Sequence, residues 1–323
     1  MTAIFRSRMN LDFPRLSFVF ASLMIATVMT HGESIRPLRF GPFLQQAVTF
    51  EGSPVGYGYL PPTGSYNFKA GWMEPINIRA GDIFHGTYLE TQGNATLSPY
   101  QSDLEVVFNL KPIRFLEGGL AYNRLLFPGS MLGFNRPVGA ALDWTPTSSE
   151  WRTGKVFNSR VREAVGADVF TFHGNLILDV GRVQLLMGAF RSLWDVNTEN
   201  KDILLEYNSG LLIQKNDRIN SLYAQTLLAL NPYLAGWGFT AQGILIRDQY
   251  TWATHTHQNE NLVAIGFTGL RKGHNNERTY HGLDGEIGLW TQNPQLNGRD
   301  WPLRLHLALQ WIWNIQILHL GER

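Results

Sequence analysis

Two groups of side chains in this sequence could do chemistry. The first is a set of carboxylates, Asp103, Glu105, Glu117, Asp179, Glu206, Asp284 and Glu286, each set at alternate positions among apolar neighbours. Carboxylates on one face of successive strands can ring a pore and favour cations. The alternative is that they are solvated or paired with Arg inside a plugged interior. The second group is Thr254-His255-Thr256-His257-Gln258-Asn259-Glu260. In an extended segment His255 and His257 share a face and could act as bases or bind a metal. A hydrolase also needs a nucleophile within hydrogen-bond reach of its base, and no His-x-Ser pairing of that kind is present. So short a match carries a high false-positive risk, so an ordinary polar loop is the expectation there. His85 with Asp82 and Glu90, and His173 with Asp179, are weaker pairings still. There is no HExxH, no calcium loop and no glycine-rich phosphate loop followed by Lys. No metal or other cofactor is expected, and the chain is read as more akin to a non-enzyme.

The elements that must hold these residues are strands. From Leu303 to Ile317 every odd position is Leu, Trp or Ile, while the even positions are Arg304, His306, Ala308, Gln310, Ile312, Asn314 and Gln316. Successive strand side chains point to opposite faces, so this segment has one apolar face and one largely polar face. A helix would mix the two sets around its circumference. The same alternation runs through Ser102–Leu110, Phe115–Arg124, Val169–Asp179, Asp202–Gln214 and Tyr280–Gln292. Less regular candidates are Val183–Trp194, Asn220–Leu230, Gly236–Asp248 and Asn261–Leu270, with two more inside Tyr66–Glu90. Lys111-Pro112 reads as the connection of a hairpin. Longer connections are expected at Phe127–Val165, Gln249–Glu260 and Asn293–Pro302. The first, with Phe134, Pro137, Trp144 and Pro146, suits an ordered surface or an inward plug.

Composition narrows the choice. The chain has 323 residues, 16% charged and 44% hydrophobic, with 32 Gly, 10 Trp and no Cys. Soluble domains carry about 25% charge, so this one is charge-poor. A mean hydropathy of −0.14 is too polar for a bundle of membrane helices, each of which needs roughly 20 apolar residues. Aromatic and β-branched residues are too plentiful for disorder. A net charge of +1 leaves no electrostatic footprint for nucleic acid. Without Cys, disulfides and thiolate metal sites are excluded. Arg6, Arg8 and Arg15 precede the uncharged run Leu16–Thr30, the pattern of a secretory signal peptide. Residues 1–32 are therefore read as that peptide, without a clear cleavage site, and 33–323 as the mature domain.

A soluble sandwich buries its apolar faces inward, whereas a membrane barrel turns them to lipid. The length of these strands and the Gly, Asn and Gln on their polar faces favour the barrel. So do the aromatics Tyr122, Trp194, Trp252, Trp290 and Trp301 near strand ends. Taken together, Leu16–Thr30, the alternating hairpin Ser102–Arg124 and the strand Leu303–Ile317 resemble those of bacterial outer-membrane β-barrel proteins. The resemblance spans about nine-tenths of the chain, is one of pattern, and names a class. It implies an all-β, closed antiparallel transmembrane β-barrel in the outer membrane. The count is ten strands from Ser102 onward plus two before it, and an even total of 10–12 is expected. Short turns and long loops alternate only as far as about Asn231, so one strand after that point is merged or split. The resemblance also implies outer-membrane lipid, lipopolysaccharide and the barrel-assembly machinery as partners. Members often end in an aromatic residue. Here Leu318–Arg323 follow the last strand, leaving Trp313, Ile315 and Ile317 to serve. The function expected first is a narrow porin-like channel or a structural membrane protein. A lipid or peptide hydrolase and a loop-mediated adhesin are the alternatives.

Overall fold

The computed structural model describes residues 40–52, 63–76, 86–98, 101–127, 136–137, 160–161, 165–197, 203–205, 211–230, 235–236, 239–256, 259–272, 279–291 and 303–316. Within them are twelve long strands: β1 (Gly41–Gly52), β2 (Thr63–Pro75), β3 (Tyr88–Leu97), β4 (Ser102–Ile113), β5 (Leu116–Phe127) and β6 (Val165–Val180) form one half. The other half is β7 (Val183–Val196), β8 (Arg218–Ala229), β9 (Phe239–Ala253), β10 (Asn259–Lys272), β11 (Thr279–Thr291) and β12 (Leu303–Gln316). Each strand pairs antiparallel with its sequence neighbours, and β12 pairs with β1, so the sheet closes. Closure follows from the strand faces: an edge strand would leave a row of unpaired amides, and only a closed sheet removes it.

The pairing is staggered in one direction around the wall. Arg218 opens β8 opposite Leu193, short of the end of β7 at Val196. Gly52 at the end of β1 likewise faces Leu307, well inside β12. That shear tilts the strands and lets a flat ladder become a cylinder.

Connections differ between the two ends. At the turn end lie the two-residue links Arg114-Phe115 and Gly181-Arg182, the start of β1 and the finish of β12. Gly181 has φ 63°, the left-handed conformation that tight hairpins between twisted strands require. The loop end carries the long connections 128–164 and 197–217. In the first, Arg136–Pro137 pairs with Arg160–Val161; the rest of the anticipated surface loop or plug lies outside the described residues.

Several strand expectations are corrected. Asp202–Gln214 is not a wall strand; Ile203–Leu205 pairs only with Leu212–Gln214, within a loop. Nine wall strands, not ten, therefore follow Ser102, and three precede it, β1 being unforeseen. Removing that false strand sets the two longest connections, 128–164 and 197–217, at one end of the barrel, but short and long links do not alternate strictly: 98–101 at that end is short and 76–87 at the turn end is longer. Lys111-Pro112 is not the hairpin connection but part of β4, where the register shifts between Leu110 and Ile113. Pro has no N–H to give the ladder, and a bulge is where a sheet accommodates it. Gln249–Glu260 is mostly strand, because β9 runs to Ala253 and β10 starts at Asn259. Residues 1–39 lie outside the described residues, as does the segment read as a signal peptide.

Candidate functional site

The two faces of the wall differ. On β4, Leu104 is 66% exposed and Val106 58%, whereas Val107 between Val106 and Phe108 is 6% exposed. Pairing carries this alternation round the barrel: Phe50, Phe68, Leu97, Leu120, Phe172, Leu222, Ile265, Ile287 and Leu309 are all exposed and all share the outer register. A predominantly apolar exterior of this kind costs free energy in water, roughly 25 cal/mol per Å², and its apolar part costs nothing against hydrocarbon. The chain is a transmembrane β-barrel of the outer-membrane type. Tyr122 and Trp252 sit on this exterior. Trp194 does not: it faces inward beside Val169 and is 8% exposed, so it belongs to no lipid-facing girdle. Trp290 is a strand residue whose side chain lies outside the described set, and so does Trp301.

The inner face is the candidate site. On the β3–β8 side carboxylates are tied to amides and phenols. Tyr88 Oη donates to Glu117 Oε2 (2.7 Å), and Asn175 Nδ2 to Glu117 Oε1 (3.2 Å). Tyr223 Oη in turn donates to Asn175 Oδ1. Asn94 and Asn123 both donate to Glu105, the latter at 3.3 Å. Asn109 Nδ2 donates to Glu90 Oε2 (2.7 Å), and Gln184 Nε2 to Asp179 Oδ1 (2.7 Å). Glycine makes this net possible. Tyr223 on β8 reaches Asn175 on β6 by passing over Gly188 of β7, where a Cβ would collide with both. Gly119 of β5 likewise leaves room for His173 and Asn109 from the strands on either side.

On the β9–β12 side Glu286 is held between two bases. Arg247 Nη2 lies 2.8 Å from Glu286 Oε1, and His306 Nε2 lies 3.1 Å from the same atom. Beside them a cavity of ≈ 500 Å³ opens in the lumen, lined by Thr49, Gln184, Gln225, Leu227, Leu245, Arg247, Thr268, Asp284, Glu286, Ala308 and Gln310, among others. It occupies the middle of the barrel and the half toward the turn end. Besides the Arg247 guanidinium, its polar wall is made of amides, hydroxyls and carboxylates, which can replace part of an ion's hydration shell.

Near the loop end the lumen is apolar and partly filled. Leu211 and Ile213, both 0% exposed, pack against the inward residues Leu125, Phe127, Val165, Val169, Trp194, Val196 and Ile219. The turn behind them holds Asn216 at φ 59°. Asp217, 1% exposed, then fastens the segment. Its carboxylate accepts from the backbone N–H of Gln214 (3.3 Å), Arg218 (2.7 Å) and His255 (2.9 Å).

The residues singled out in the sequence are placed as follows. Asp103, Glu105, Glu117, Asp179, Asp284 and Glu286 hold inward register positions, but on different walls. The first four lie on β4–β6, and Asp284 and Glu286 face the cavity. Glu206 lies outside the described residues. His255 is at the loop end, where its Nδ1 is 3.7 Å from Asp217 Oδ1 and its side chain is 47% exposed. His257, His85 and Asp82 lie outside the described residues. Among the described residues no group of three or more His, Cys, Asp or Glu is placed to hold a metal. Sequence reasoning missed Tyr88, Arg247 and the buried Asp217, and named Glu90 only as a partner of His85, not as the inner-face carboxylate it is. Tyr88, Glu90 and Arg247 alternate with outward residues on their strands, a signal that was available once the strand bounds were right. Asp217 sits in a turn and gave no periodic signal.

No family model and no curated protein matches this sequence. Solved structures similar to it include the β domain of the Bordetella autotransporter BrkA, at 9% identity, 87% of this chain, 100% of that chain and TM-score 0.46. Another is an outer-membrane channel from Pseudomonas putida F1, at 10% identity, 88% of this chain, 99% of that chain and TM-score 0.46. A third is the translocator domain of the autotransporter NalP from Neisseria meningitidis, at 9% identity, 94% of this chain, 96% of that chain and TM-score 0.43.

Proposed function

We propose that this barrel is a narrow channel of the bacterial outer membrane that passes small cations in preference to anions. The observation that carries the reading is the ≈ 500 Å³ lumenal cavity, lined by Asp284, Glu286, the Arg247 that offsets Glu286, and neutral polar groups. Farther round the same interior stand Glu90, Asp103, Glu105, Glu117 and Asp179. Against them, at inward register positions of the described strands, are Lys69, Lys111, Arg247, Lys272 and Arg304, with His306, while Glu51 and Glu260 add to the carboxylates. An interior richer in carboxylates than in bases lowers the energy of a cation on its path. The export route is by way of the basic start and the apolar run Leu16–Thr30. Lipid and lipopolysaccharide meet the exterior, and the barrel-assembly machinery inserts the chain.

The test is a reversal potential in a planar bilayer under a potassium chloride gradient. Cation preference is the expected result; anion preference overturns the selectivity. The apolar fill by Leu211 and Ile213 favours a second reading, a structural barrel that does not conduct. Inserted protein with no unitary current would establish that reading in place of the channel.

A further inference from the structure

The outer belt contains a charge where lipid should be. Asp248 stands between Ile246 and Tyr250 on the outward face of β9, opposite Ala224 of β8 and Val263 of β10. Neither neighbour's side chain has a donor; Asp248 Oδ1 is enclosed with no hydrogen-bond partner among the described residues, and Oδ2 is the oxygen left for a second chain to reach. Ile246, Val263 and Ile265 around it are exposed apolar residues of the belt. An ionisable group at such a place is expensive, and it marks a site that a partner completes.

A complementary charge lies on the same patch. Arg191 is an exposed outward residue of β7, level in the register with Asn220 and Trp252. Its Nε donates to Asn220 Oδ1 (2.7 Å), which leaves the terminal nitrogens of the guanidinium for another acceptor. Between the two charges, on β8, lies Leu222, opposite Ala189 and Tyr250 and 53% exposed. Along the strands Arg191 is nearer the loop end than Asp248. The shear of the barrel offsets most of that difference, because each strand from β7 to β9 begins lower in the register than the last. The two charges thus lie at similar depth, one strand to either side of Leu222.

Equal depth is what a two-fold axis along the membrane normal demands. Such an axis sets a residue on the left of a patch against the residue at the same height on the right of the other copy, and makes the centre meet itself. We infer that two copies of the chain pair in the bilayer through the outer faces of β7–β9, Leu222 against Leu222 and Arg191 of each against Asp248 of the other.

The chain has no Cys, so one introduced thiol reports one position. Leu222→Cys in proteoliposomes should give a disulfide-linked dimer on mild oxidation. Val106→Cys, an outward residue on β4, four strands away from β8 round the wall, should stay monomeric. Asp248→Asn or Arg191→Gln should cut the Leu222→Cys dimer by roughly tenfold or more, and the reversed pair Asp248→Arg with Arg191→Asp should restore it. The pairing is overturned by a monomeric Leu222→Cys protein, by equal linkage at Val106→Cys, or by a dimer indifferent to both charge removals. The Leu222→Cys comparison leaves the charged pair intact, so it decides the question even where an Asp248 variant folds poorly.

Discussion

Single residues govern the lumen through space and charge. Gly188 is required because Tyr223 and Asn175 occupy the volume of its missing side chain. Gly188→Val should therefore force both groups aside and destabilise the folded barrel by about 1–3 kcal/mol, the usual cost of overpacking. A lower midpoint of urea unfolding in detergent micelles checks this, and an unchanged midpoint would mean that the net of polar bonds is dispensable. Arg247 tests the electrostatics. Its guanidinium offsets Glu286 at 2.8 Å, so Arg247→Ala should make the pore more cation-selective. Removing one charge about 4 Å from an ion's path in water is worth about 1 kcal/mol, roughly fivefold in permeability ratio. Asp284→Asn with Glu286→Gln should move the reversal potential the other way. At this scale the sequence was legible for the carboxylates, since alternation set Asp103, Glu117 and Glu286 against apolar neighbours. Arg247 became legible only with the true bounds of β9, which runs past the bulge between Ala241 and Gly243 to Ala253, so that Leu245, Arg247 and Gln249 share the inner face.

At the scale of elements, the segment 211–217 is the part whose role the sequence hid. Leu211 and Ile213 alternate with their neighbours as wall residues do, so period alone assigned Asp202–Gln214 to the sheet. The structure spends the same apolar side chains on the inner wall near the loop end instead. Either placement buries them, and hydrophobic alternation does not distinguish lipid from a packed interior. Trp194 was misassigned for the same reason. Replacing both Leu211 and Ile213 by Ala should loosen this fill, since truncating a buried Leu or Ile costs about 2–5 kcal/mol of packing. Higher unitary conductance with an unchanged reversal potential is the expected signature, because the charged lining lies deeper. Asp217→Ala should have a similar effect by leaving the backbone N–H groups of Gln214, Arg218 and His255 without their acceptor. Equal conductance in both variants and the parent chain would show that the segment does not limit flow.

The whole molecule behaves as one closed ladder, and its strands unzip from no edge. The detergent-extracted protein should run faster on a gel when unheated than after boiling in SDS. A mobility indifferent to heating would contradict a closed wall. A photoactivated lipid-soluble probe should label Leu307 and Leu309, which are outward and exposed, and should spare Ile312, which is inward and 5% exposed. Equal labelling of both faces would be incompatible with a lipid-facing exterior and a protected lumen.

Alternation along each strand settled by itself that this protein is built of strands and which side chains share a face, because pleating forces successive residues apart whatever the strand is packed against. Its scarcity of charge settled that the apolar face meets lipid. Only the tertiary structure decided which alternating segment leaves the wall to enter the mouth, since that depends on loop reach and on the register of strands distant in sequence. Only closure and shear, likewise, set Arg191 and Asp248 at one depth on a common face, for no local pattern relates residues two strands apart.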